Sequence, residues 1–206
     1  MTGFLTMKRY KYATLYMDQY TQYGYVYLQK TASAEETVEG KRLLKQWHGA
    51  MASGLKITTP TRGSSKRTSG PKLACKEEKQ GITFAGVNAY HQNCVAERRM
   101  RELQELARAM LIHANSRWKD SVTANLWPYA VRMASNAVNH TPSFQDEGRR
   151  TPTEMLSGSK VSSNPKHWKP FGCPAYVLDN SLQGQNPFHK WKQRAKPGIY
   201  IGKVSH

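Results

Sequence analysis

Residues able to do chemistry are few and unevenly spread along this chain of 206. The three cysteines, Cys75, Cys94 and Cys173, lie far apart and share no CxxC spacing. That leaves no zinc site evident from the sequence and argues against a disulfide framework. Carboxylates are scarce too. Lys and Arg number 31 against 14 Asp and Glu, a net charge of +17, and from Gly40 to Lys76 there is no Asp or Glu at all against nine Lys or Arg. Such a balance puts positive potential over much of the surface and favours a polyanionic partner, nucleic acid first. One stretch combines acid and base in an ordered way: Glu97, Arg101, Gln104 and Arg108 fall together at helical spacing. The arginines of that face suit phosphate contacts, or they form a solvated charged surface.

That polar stripe needs a helix to carry it. Val95, Met100, Leu103, Leu106, Ala107, Met110, Leu111 and Ala114 occupy the opposite half of the helical wheel, so the pattern predicts a helix from Val95 to Ala114. The polar segment Asn88 to Cys94, with His91 and Gln92, leads into it. Upstream, Lys11 to Asp18 and Tyr23 to Lys30 are rich in Tyr, Val and Leu and read as a β-hairpin. Ser33 and Glu36 have the spacing of a capping box, opening a helix expected to end at Gly54. Leu55 to Thr59 and Gly81 to Phe84 are short strand candidates, separated by the Gly/Ser/Pro-rich basic loop Pro60 to Pro71. A further helix is predicted from about Leu126 to Asn139, with Pro128 in its first turn. After Arg150 the composition turns to Ser, Pro and Gly, read as a linker, and Ala175 to Leu178 and Gly198 to Ile201 are strand candidates in a β-flavoured tail.

Within this order the segments Gly86 to Arg98, Leu126 to Ala130, Asn139, Thr151-Pro-Thr-Glu154, Phe171-Gly-Cys-Pro174, Lys190-Trp191 and Gly198 to Gly202 closely resemble the integrase region of copia-type retrotransposon Pol polyproteins. The resemblance runs in order along nearly the whole chain. It implies an α/β fold with a ribonuclease H-like integrase core, a mixed sheet of five strands in the family flanked by helices and here expected to lack its first strand, and a partial small β-barrel behind it. The expected division is 1–150 for the core, 151–169 for the linker and 170–206 for the barrel-like segment.

The family's chemistry is metal-dependent polynucleotidyl transfer by two Asp and one Glu, because carboxylates at strand and helix ends hold two divalent ions that activate the attacking hydroxyl and stabilise the leaving oxygen. The resemblance carries the Glu onto Glu97, as catalytic residue and ligand of Mg²⁺ or Mn²⁺; otherwise Glu97 is a solvated carboxylate favoured by the helix dipole. It puts Thr61 where the second Asp belongs, with Gly63 still in place, and the first Asp upstream of Met1. Asp18 is the tempting but poor substitute. The flanks of Thr58 to Leu73 fit the family and the stretch itself does not, which suggests a local frame slip or pseudogene-like decay. The copy is therefore expected to be catalytically degenerate and to bind no metal. Arg98, Arg101, Arg108, His91, Gln92, Lys192 and Arg194 are the DNA-contact candidates. The alternative is a non-catalytic nucleic-acid-binding remnant. Expected partners are DNA and, as in the family, a second copy. No stretch approaches about 18 consecutive apolar residues, so no membrane partner is expected and the location is intracellular, nuclear if functional.

Overall fold

The computed structural model describes residues 8–18, 20–48, 55–56, 94–119, 121–143, 146–161, 167–178 and 193–203. The hairpin forms as its pattern requires: β1 (Tyr12–Asp18) pairs antiparallel with β2 (Gly24–Gln29), Tyr12 opposite Gln29 and Met17 opposite Gly24. Alternation then sorts the side chains. Ala13, Leu15, Val26 and Leu28 share one buried face, while Thr14, Tyr16, Tyr25, Tyr27 and Gln29 share the other. Helix α1 (Ala34–His48) covers the second face, and its Gly40 makes this possible. A Cβ there would sit 2.6 Å from the Tyr27 ring and 2.8 Å from the Tyr16 hydroxyl, so only glycine permits the approach. The Tyr16 hydroxyl donates to the Thr37 carbonyl, and Thr14, Gln29 and Thr37 continue as a side-chain chain of 2.6 and 3.1 Å hydrogen bonds. Burial pushes the Tyr16 phenol well above its ordinary pKa.

Only half of the expected capping box forms. Ser33 Oγ accepts from Glu36 N at 3.1 Å, but the Glu36 carboxylate turns away to accept from Lys30 N and Thr31 N at 3.0 and 3.1 Å. Two amides freed at the end of β2 offer it more than the single N-cap amide does. The expected end of this helix at Gly54 lies outside the described residues. Beyond it, β3 (Leu55–Lys56) pairs antiparallel with the end of β1, so the sheet order is β2-β1-β3. The strands described are all antiparallel, and the Gly81 to Phe84 candidate is outside the described residues; the mixed five-stranded sheet is thus not what these residues display.

The first sheet face packs on α2 (Cys94–Arg117) and α3 (Trp127–Asn139), where Leu103, Ala107, Ala114, Ala130, Val131, Met133 and Ala134 complete one hydrophobic core. Helix α2 runs three residues past the expected Ala114, and Val95, counted with its apolar side, is 53% exposed because it sits in the first turn, ahead of the core. Pro128 occupies the first turn of α3, where its missing N–H costs nothing.

The segment expected as a linker contains a helix, α4 (Pro152–Ser157). Thr151 and Glu154 form a full capping box, Gly158 ends the helix at φ +66°, and buried Pro152 and Leu156 anchor it. Its Ser/Pro/Gly composition reflects start and stop signals packed close together. The tail pairs β4 (Pro174–Leu178) with β5 (Ala195–Ile199), which starts three residues before and ends two residues before the expected Gly198 to Ile201. This hairpin is tied to the main core. Phe171 is buried in it, and Gly172, at φ +76°, lies where a Cβ would meet Ala114 and Val122 at 2.7 Å. Gly172 N donates to Tyr200 O and Tyr200 N to Cys173 O, closing the base of the hairpin.

Candidate functional site

Helix α2 brings four of the expected residues onto one solvent-facing surface. Glu97 lies in the first turn, and Glu97, Arg98, Arg101 and Arg108 are all exposed. The helix is built to show them: Leu103 and Ala107 sink into the core and leave the opposite side to water. Glu97 near the positive end of the helix is electrostatically favoured whether or not it meets a ligand.

Arg99, absent from the expected set, turns the other way. It donates through Nη2 to the Gln22 carbonyl at 3.5 Å and pairs through Nη1 with Glu102 at 3.2 Å, fastening the start of α2 to the β1–β2 turn. Its three-residue spacing from Glu102 was the available signal. The same turn uses Asp18. That carboxylate is buried, and its Oδ2 accepts from Thr21 N at 2.8 Å and Thr21 Oγ1 at 2.7 Å. Asp18 is thereby accounted for by turn closure.

Behind the turn, Asn139 of α3 accepts from Gly24 N at 2.9 Å and donates to Gly24 O at 2.8 Å, while Ser135 Oγ donates to the same carbonyl at 2.8 Å. All three residues are buried, so α3 clamps the start of β2. A second fastening follows α3. Asp146 accepts from Arg150 N and Nε at 3.0 Å and from Nη2 at 2.8 Å, and the Arg150 side chain pulls its pKa down to about 2.

Arg194 is exposed just before β5, on a different element from α2. His91, Gln92, Thr61 and Lys192 lie outside the described residues. Trp118 and Trp127 pack against the core, and Trp168 meets the His140 ring edge-on at 5.6 Å. These are packing roles. No group of three or more His, Cys, Asp or Glu side chains suited to a metal ion occurs among the described residues, so this donor set does not fit a two-metal centre there. No helix among the described residues is long and apolar enough to cross a membrane.

No family model matches the chain. It is 25% identical over 206 residues to the Retrovirus-related Pol polyprotein from transposon RE1 of Arabidopsis thaliana, an alignment covering 96% of this chain and 12% of that polyprotein. Among solved structures it is similar to a chain in the simian T-cell lymphotropic virus intasome complexed with PP2A regulatory subunit B56 gamma. The TM-score is 0.52 at 14% identity, over 95% of this chain and 64% of that one, a likeness of fold. The chain thus spans only part of the length of each protein it matches. The chain is thus similar in sequence to a copia-type retrotransposon Pol polyprotein and in fold to a chain of a retroviral intasome.

Proposed function

We propose that the chain is an integrase-like domain on a ribonuclease H-like core that binds DNA without cutting or joining it. The observation that carries this is the solvent face of α2, where Arg98, Arg101 and Arg108 stand exposed around Glu97 in a chain of net charge +17. Arginines on a rigid helix contact phosphates without reading bases, so binding is expected to show little sequence preference and to weaken steeply with salt.

Loss of the transfer chemistry is supported by the carboxylates. Thr61 stands where the second of the three carboxylates belongs, and Asp18, the nearby substitute, is engaged by Thr21. A hard ion that dehydrates reluctantly gains little from one exposed carboxylate. His91, Gln92, Lys192 and Arg194 belong to the proposed DNA contacts. The division at 1–150, 151–169 and 170–206 is kept as the proposed domain plan, with α4 inside its middle segment and part of a small barrel at its end. A second copy is the proposed protein partner, and the proposed location is intracellular, nuclear if the domain is functional.

The test is a strand-transfer assay with Mg²⁺ or Mn²⁺, run beside duplex-DNA binding between about 50 and 200 mM salt. Salt-sensitive binding without transfer is expected. Transfer that disappears in Glu97→Gln would overturn the inactive reading, and a folded chain that ignores DNA would overturn the binding one.

A further inference from the structure

The β4–β5 hairpin carries an aromatic and apolar surface that the core leaves uncovered. Register places Tyr176 opposite Pro197 and Leu178 opposite Ala195, so these side chains share one face of the two-stranded sheet. Tyr176 is 77% exposed and Leu178 52%, and Pro197 is exposed beside them. Phe171 and Tyr200, by contrast, root the base of the hairpin, so the platform is held out from the body on a fixed stem. Its electrostatic setting is one-sided. From Met155 to His206 the chain has eight Lys or Arg against one acid, Asp179, and exposed Arg194 and Lys196 alternate onto the other face of the two-stranded sheet, with exposed Lys203 just past it.

A second copy of so cationic a segment would be repelled, and it offers no acidic complement. A polyanion with flat apolar faces matches both properties. We propose that this face is a stacking platform for unpaired bases of single-stranded nucleic acid, with Tyr176 as the ring on which a base lies and the cations on the other face and at the end of the narrow hairpin attracting the backbone that passes its edge. A duplex hides its base faces in the stack and cannot use Tyr176, so the hairpin and the α2 surface divide the labour: one takes unpaired nucleotides, the other takes phosphates of a duplex. The inference rests on the nucleic-acid reading above and goes beyond it in naming the strandedness and the residue.

The test compares the full chain with Tyr176→Ala and Tyr176→Phe, using oligo-dT and a duplex, each about 20 units long, to span more than one stacking site. Circular dichroism confirms that each variant is folded. Tyr176→Ala is expected to weaken oligo-dT binding by about 5- to 100-fold and leave duplex binding unchanged, with Tyr176→Phe restoring it. Oligo-dT binding that is indifferent to Tyr176→Ala while duplex binding persists would overturn this inference alone. Failure to bind either probe would overturn the nucleic-acid reading as well. A concentration-dependent dimer in sedimentation that Tyr176→Ala dissolves would assign the face to a second copy and overturn the proposal.

Discussion

Asn139 presents its side-chain amide to Gly24 as a neighbouring strand would, accepting from the N–H at 2.9 Å and donating to the C=O at 2.8 Å across 115 residues of sequence. The pairing is buried, so losing it strips the Gly24 N–H of its Asn139 partner and leaves the Gly24 C=O with Ser135 alone. Asn139→Ala is expected to cost about 1–3 kcal/mol, read as a fall in Tm of about 2–4 °C per kcal/mol. Asn139→Asp keeps the acceptor but sets a carboxylate against the Gly24 carbonyl, and a variant as stable as the parent would show that the clamp contributes nothing.

Gly40 sets how closely α1 approaches the sheet. Gly40→Ala places a methyl 2.6 Å from the Tyr27 ring, and the expected loss is about 1–3 kcal/mol from overpacking. Denaturant unfolding measures it. Tyr27→Ala in the same chain removes the clashing ring, so the double variant is expected to lose less than the sum of the two single changes.

Acid should release the loop that Asp146 holds. Arg150 lowers the Asp146 pKa from an ordinary carboxylate value to about 2, so the stabilisation is present above about 4 and is lost as pH falls toward 2. The sign follows from a folded-state pKa below the unfolded one. Arg150→Gln should return the Asp146 titration toward the ordinary carboxylate range in an NMR pH series, and an unchanged titration would refute the pairing. The effect on global stability should be small because the pair is solvent-exposed.

Arg98, Arg101 and Arg108 are exposed on α2, so replacing all three with Gln is expected to leave the melt within about 0.5 kcal/mol while flattening the salt dependence of duplex binding. Each lost phosphate contact removes about 0.9 from the slope of log K against log salt. A triple variant with the parent slope would move the duplex contact to another surface.

Much of the scaffold was legible because its signals are local. The Tyr- and Val-rich runs gave the hairpin, the apolar half-wheel gave α2, and Pro128 marked the start of α3, since strand alternation and helical period are properties of neighbours along the chain. The α2 charge stripe could be read for the same reason: burying Leu103 and Ala107 forces Glu97, Arg101 and Arg108 outward. The likeness to copia-type polyproteins was also contained in the order of its motifs.

Tertiary structure decided what each polar group does once its neighbours are known. Sequence marks Asn139 as a residue at a helix end, and only the folding of α3 against β2 makes it a surrogate strand for Gly24. Asp18 looks available until Thr21 closes on it, and adjacent Arg98 and Arg99 look equivalent until one faces water and the other meets Gln22. The exposed Tyr176 face likewise follows from which residues lie across the strand and from the depth at which Phe171 anchors the hairpin. Local propensity depends on a few successive residues, whereas a buried hydrogen bond or an uncovered face depends on groups the chain brings together from far apart.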